Sequence, residues 1–296
     1  VFAIALNQKQ YKTYTLCDHK AESILEVVPE RGGLITRWSV KGEELLYMDE
    51  ERFADPSLTV RGGIPILFPI CGNLPDNSYT YQNREYGLKQ HGFARDLPWT
   101  VRKQDQTNAA SITVGLTSND ETRSLYPFDF ELEFTYTLKG NGLEIFQRYT
   151  NLSGLVNSMP PESMPFSTGL HPYLWVPDKS QLRFHIPAMQ YWDQPTESLQ
   201  DFRGYFDPNV EEIDGIFGPL TGLGATMTDL SRNLRLCLNY SAAYSRVVFW
   251  TVRGKDYVCL EPWSAPRNAM NTGQLLTHLK PGTSFEMVVY LMATFL

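Results

Sequence analysis

The sequence predicts an all-β protein, one large antiparallel β-sandwich with minor helix. Three observations carry this. Apolar residues recur with period two in segment after segment, turn residues punctuate those segments, and no stretch shows a long apolar stripe of 3.6-residue period. The 19 Pro and 21 Gly are spread along the whole length, as many short elements joined by tight turns require. No composition break or Ser/Gly linker divides the chain, so residues 1–296 read as one domain, a length that sandwiches reach without splitting.

The alternation is clearest in Glu131-Leu132-Glu133-Phe134-Thr135-Tyr136-Thr137-Leu138, a half-buried strand. Lys139-Gly140-Asn141-Gly142 supplies turn chemistry, and residues 143–150 return as the second strand of a hairpin. Residues 111–117, 181–186, 234–240, 247–252, 257–260 and 285–291 repeat the pattern or form short apolar runs. In 181–186 the ring of His185 shares a face with Gln181 and Arg183 and is solvated. His19, in Asp18-His19-Lys20, and His278, shortly before Lys280-Pro281-Gly282, read as surface or structural residues.

Composition excludes several classes of function. With 26 Lys+Arg against 33 Asp+Glu the net charge is −7, which argues against a nucleic-acid backbone or an anionic membrane as partner. The Arg-Gly-Gly tripeptides at Arg31 and Arg61 lead straight into apolar sequence, unlike RNA-binding repeats. Cys17, Cys71, Cys237 and Cys259 are widely separated and form no C-x-x-C, so free thiols in a reducing compartment are expected. The apolar opening of residues 1–6 is too short for a signal peptide and lacks its basic flank, and no run approaches the ~18 apolar residues of a membrane span. A cytoplasmic location is expected.

The residues that can carry chemistry stand in stiff frames. In Thr168-Gly169-Leu170-His171-Pro172-Tyr173-Leu174-Trp175-Val176-Pro177, the proline after His171 holds its backbone extended and its ring at a repeatable angle. An imidazole with a pKa near ~6.5 is a candidate proton donor, the alternative being a half-buried histidine bonded to a carbonyl. His91 precedes Gly92, which lets a ligand or backbone come close. Arg61, ahead of two glycines and a proline-braced apolar run, can clamp hydroxyls, a carboxylate or a phosphate, or form a surface ion pair. Glu261 closes the run 257–260 and precedes Pro262, so a carboxylate ends a buried strand, where it must be paired or kept for function. A rigid histidine and a rigid carboxylate meet the minimum for general acid and base work.

Arg61-Gly62-Gly63-Ile64-Pro65, Gln90-His91-Gly92-Phe93-Ala94-Arg95, Gly169-Leu170-His171-Pro172-Tyr173 and Glu261-Pro262-Trp263 occur in the order seen in aldose 1-epimerases. The chain resembles that family over nearly its full length. It is most similar to the branch of hexose-6-phosphate mutarotases, and in the last two motifs to less characterised bacterial aldose epimerases. The resemblance implies a large antiparallel β-supersandwich that interconverts the α and β anomers of a hexose or hexose 6-phosphate without metal or organic cofactor. It implies Glu261 as the base that takes the proton of the anomeric hydroxyl and His171 as the acid that protonates the ring oxygen. Gln90 and His91 would contact the sugar near the reacting centre, and Asp214, in Glu212-Ile213-Asp214-Gly215, its hydroxyls. Arg61 and Arg95 match the sugar-phosphate branch, although Arg95 can instead pair with Asp96. Trp175, Trp192 and Trp263 are candidate platforms for a pyranose or core residues.

Three other readings are open to the same residues. Two histidines and a carboxylate on a β-scaffold can form a facial triad for iron. Glu261 and Asp214 can form the carboxylate pair of a glycosidase. A sugar-binding protein without turnover can share the fold.

Overall fold

The computed structural model describes residues 1–155 and 162–296. Its strands are short, as the turn residues demand, and almost all lie in three antiparallel sheets. Phe2–Gln8, Lys12–Asp18, Ser23–Val28, Leu34–Val40 and Glu43–Glu44 form a five-stranded meander in chain order. An eight-stranded sheet runs in the order Leu182–His185, Gly224–Asp229, Leu234–Tyr240, Ser284–Phe295, Gly142–Asn151, Phe130–Lys139, Ala110–Thr117, Thr100–Asp105. The third sheet runs Ser198–Asp201, Gln190–Asp193, Glu212–Phe217, Arg246–Val252, Tyr257–Trp263, Gly169–Leu170, Ile66–Leu67, and Tyr173–Trp175 also pairs with Tyr257–Trp263.

The expected hairpin forms between Phe130–Lys139 and Gly142–Asn151, closing at Lys139 opposite Gly142. Leu132, Phe134, Tyr136 and Leu138 are fully buried, while the residues between them are half-buried on the other face. The last strand is longer than its apolar pattern. Beyond Leu291 it pairs along Leu234–Tyr240 up to Phe295 opposite Leu234, and its buried face continues through Ala293 with Phe295 packed against the core. Most of the rings fill the core first: Phe68 touches Phe93, Tyr126, Phe130, Tyr149 and Phe166 with centroids 5.2–6.1 Å apart.

The helices are short, Glu50–Ala54, Asp120–Leu125 and Ala269–Thr272. Among the described residues no helix is long and apolar enough to cross a membrane, and the four cysteines are free thiols. His19, His185 and His278 are exposed. Arg31 is buried, and its guanidinium donates to the carbonyls of Arg52, Phe53, Asp55 and Leu58, so its Arg-Gly-Gly tripeptide is a structural brace for the segment around Glu50–Ala54.

The strand Tyr257–Trp263 sets the location of the site. All seven residues are buried, so both faces are covered. Period two places Val258 and Leu260 in the main core, and Tyr257, Cys259, Glu261 and Trp263 on the opposite face. The sequence pattern ends this strand at Leu260 because proline is expected only at strand edges or ends, yet Pro262 stands in register opposite Val247.

Candidate active site

Residues directly opposite one another on antiparallel strands share a face. Tyr173 lies opposite Cys259, Cys259 opposite Trp250, and Trp250 opposite Asp214, so Tyr173, Trp250 and Asp214 join Glu261 on one side of the sheet. They floor a cavity of about 370 Å³. All seven residues singled out from the sequence, Arg61, Gln90, His91, Arg95, His171, Asp214 and Glu261, line it.

At its centre His171 Nε2 lies 3.3 Å from Glu261 Oε1, with both side chains buried. The His171 backbone is anchored through its N–H to the Pro65 carbonyl, and the ring stacks on Tyr173 with centroids 4.6 Å apart and planes 11° from parallel. Glu261 Oε2 accepts the Trp263 indole N–H at 3.0 Å, which fixes the carboxyl and leaves Oε1 for the imidazole. Burial raises the Glu261 pKa well above the usual carboxylate range. Burial, and next to it the Arg95 charge, lowers His171 to about 3. Both shifts favour the uncharged form, carboxylic acid beside neutral imidazole, because burial disfavours either charge. The ring faces the carboxyl through Nε2, and its buried Nδ1 has no hydrogen-bond partner among the described residues.

His91 adopts a left-handed backbone, φ 68°, and its Nδ1 accepts the Gly72 N–H at 3.0 Å. That bond places the ring proton on Nε2, and burial keeps the ring neutral. His91 is therefore a fixed neutral donor and lacks the free lone pair that an iron triad with His171 and Glu261 needs. The space beside Gly92 is taken by backbone: a Cβ there would sit 2.2 Å from the Phe68 carbonyl oxygen.

Arg61 is exposed at the mouth, its guanidinium 5.8 Å from the centre of the Trp250 ring. Arg95 donates to the Gln90 carbonyl at 2.9 Å, which ties Gln90 and Arg95 into one rim. Among the described residues neither arginine has a carboxylate within 4 Å, so neither Arg95–Asp96 nor a surface pair of Arg61 forms. Asp214 departs most from expectation. Its Oδ2 holds Arg267 Nη2 at 2.6 Å, and only its buried Oδ1 is without a partner.

Arg267, Trp250, Tyr173 and Arg52 also line the cavity and were not singled out. Tyr173 lies inside the Gly-Leu-His-Pro-Tyr motif, which offered a signal for it. Trp250 and Arg267 arrive through strand register and a loop return, which no local pattern reports. Of the three tryptophans singled out, Trp263 lines the cavity beside Trp250. Trp263 lies fully buried against Glu261, Trp175 packs under Arg232 at 4.5 Å, and Trp192 stands outside the cavity, 42% exposed.

The family model for aldose 1-epimerase matches residues 12–291. Protein LacX of Lactococcus lactis subsp. lactis, encoded on a plasmid, is 28% identical over 273 residues, covering 83% of this chain and 86% of LacX. The crystal structure of Slr1438 from Synechocystis sp. PCC 6803 superposes with a TM-score of 0.93 at 43% identity over 100% of both chains. A galactose mutarotase-like protein from Clostridium acetobutylicum shares the fold, with a TM-score of 0.83 at 21% identity over 100% of this chain and 99% of that one. The match of nearly the whole length to the family model, together with the four motifs brought into one cavity, shows that the chain belongs to the aldose 1-epimerase family.

Proposed function

We propose that the protein interconverts the α and β anomers of a hexose, with Glu261 as general base and His171 as general acid. The contact of 3.3 Å between His171 Nε2 and Glu261 Oε1 on the cavity floor carries this reading. Anomer exchange needs one proton acceptor and one proton donor acting together, and a pair that shares one proton supplies both. With the proton on His171, Glu261 takes the hydrogen of the anomeric hydroxyl while His171 gives its own to the ring oxygen. The electron pair of the C1–O5 bond leaves with the ring oxygen and an open-chain aldehyde forms. Rotation about C1–C2 and the reverse transfers close the ring on the other face. The His91 Nε2–H supplies a neutral donor, Asp214 Oδ1 an acceptor, and Trp250 an apolar face for the pyranose.

The finer substrate follows from the rim. Arg52, Arg61 and Arg95 line the cavity without ion-pair partners among the described residues, an arrangement suited to the doubly charged phosphate of a hexose 6-phosphate. Asp214, whose Oδ2 accepts from Arg267 Nη2 at 2.6 Å, is assigned to the binding of sugar hydroxyls through its other oxygen. The approach of pure α-glucose and α-glucose 6-phosphate to anomeric equilibrium, followed by polarimetry, tests both levels. Acceleration of both with preference for the ester is expected. Preference for the free sugar removes the phosphate role, and acceleration of neither, nor of other aldoses, removes the epimerase assignment.

A further inference from the structure

One buried thiol beside the cavity has no part in anomer exchange. Period two puts Cys259 on the same face of its strand as Glu261, and its partner in register, Tyr173, carries the stacked His171 ring. The Cys259 sulfur, one ring nitrogen of His171 and one carboxyl oxygen of Glu261 lie within 4.8 Å of one another, and all three residues are buried. Among the described residues this is the one group of three or more histidine, cysteine and acidic side chains set so closely, and the free thiols of Cys17, Cys71 and Cys237 do not belong to it. The Trp263 indole N–H already fixes the carboxyl through Oε2 at 3.0 Å, an outer bond of the kind that orients metal ligands.

We propose that His171, Cys259 and Glu261 form a site for a thiophilic divalent cation, zinc above all, and that its occupation switches off anomer exchange. Zinc takes sulfur at about 2.3 Å and nitrogen or oxygen at about 2.0–2.2 Å, which sets tetrahedral ligands roughly 3.5 Å apart. The His171–Glu261 contact of 3.3 Å already has that spacing, and the thiol has at most roughly 1 Å to close. Burial, and next to it the Glu261 charge, keeps Cys259 protonated without metal, but a coordinating zinc ion removes a thiol proton outright. The thiol and the carboxylic acid each release a proton to water, and the thiolate, the carboxylate and a neutral imidazole then cancel the charge of the ion. The complex therefore places no net charge in a buried site. Thiolate and imidazole select zinc over the hard cations that prefer all-oxygen sites, and His91 takes no part. His171 and Glu261 line the cavity, which gives the ion its entry path. An ion held there occupies the imidazole lone pair and the carboxylate oxygen that would move protons. The inhibition rests on the epimerase reading; the metal site itself does not.

The test adds zinc, cobalt or magnesium chloride to metal-free wild type, Cys259→Ser and Cys71→Ser. It reads bound metal, absorption and glucose anomer exchange, each variant being referred to its own metal-free rate. Zinc bound at one ion per chain is expected to slow exchange at least ~10-fold in the wild type and in Cys71→Ser, with recovery on chelation, while magnesium has no effect. Cobalt should give both proteins a near-ultraviolet thiolate-to-metal charge-transfer band. Cys259→Ser should lose that band and need at least ~10-fold more zinc for half-inhibition, since outer partners of a metal site alone are worth about 10–100-fold in affinity. Cys259→Ala replaces the serine variant if that one does not fold. No stoichiometric zinc in the wild type, no cobalt band, a band that survives loss of the Cys259 thiol, or one lost in Cys71→Ser overturns the site. One zinc ion per chain with the band and with undiminished exchange leaves the site standing and overturns the proton-transfer roles of His171 and Glu261.

Discussion

Two acid–base pairs face the same cavity, one half-buried and one buried, and they differ in whether a proton can move. Arg267 and Asp214 meet at 2.6 Å, and a guanidinium keeps its proton, so this pair is a fixed ion pair. His171 and Glu261 meet at 3.3 Å, and neither holds its proton as a guanidinium does. The fixed pair ties the Ala269–Thr272 approach to the strand Glu212–Phe217 and orders the hydroxyl-binding wall. The mobile pair is suited to chemistry. Proximity of opposite partners is common to both, and only the imidazole pair holds a proton that can be exchanged.

Substitutions should separate the two pairs by what they damage. In the mobile pair, Glu261→Gln and His171→Asn are each expected to slow anomer exchange by at least ~10²-fold, the usual scale for a general acid or base. Near-normal rates in both folded variants would erase the distinction. In the fixed pair, Arg267→Met leaves a half-buried carboxylate without its partner, and urea unfolding should show a loss of about 2 kcal/mol, the scale of a hydrogen bond to a charged group. Arg267→Lys should recover part of it, and a variant as stable as the wild type would show that the ion pair braces nothing. At the rim, Arg61→Ala and Arg95→Ala should each weaken binding of glucose 6-phosphate by about 10-fold, the value of one charge-assisted hydrogen bond, with little effect on glucose. Equal losses for both ligands would assign these arginines to the sugar and not to a phosphate.

The smallest effect is on the pH dependence of stability. Burial raises the native pKa of Glu261 above its unfolded value, so from about pH 4.5 upward the unfolded chain has released a proton that the native state still holds. That group's contribution falls as pH rises toward its native pKa. Glu261→Gln removes this fall, so its stability relative to the wild type should improve between about pH 4.5 and neutrality. A difference that is flat with pH, or that grows in the opposite direction, would show that Glu261 is ionised in the folded protein.

Local pattern made the strands and the chemical pair legible for different reasons. Alternation announces a strand wherever one face is buried, as in Phe130–Lys139, and it misses a strand such as Phe2–Gln8, where no position is buried and the contrast is lost. His171 and Glu261 stood out because proline follows each, a constraint written between neighbours. Arg267 and Trp250 did not, because their place in the cavity depends on register across strands and on a loop return. Asp214 was found but its engagement was not: the ion pair joins residues 53 positions apart. Residue type alone made Trp175, Trp192 and Trp263 equal candidates for a platform or a core place, and only the fold separates the exposed Trp192 from the buried Trp263.

The direct measurement is anomer exchange by NMR in the wild type, Glu261→Gln, His171→Asn and the double variant. If the two residues share one proton and act as a unit, the double variant should be no slower than the slower single variant. Losses that multiply in the double variant, or single variants that retain wild-type exchange, would contradict a shared-proton pair at the reacting carbon.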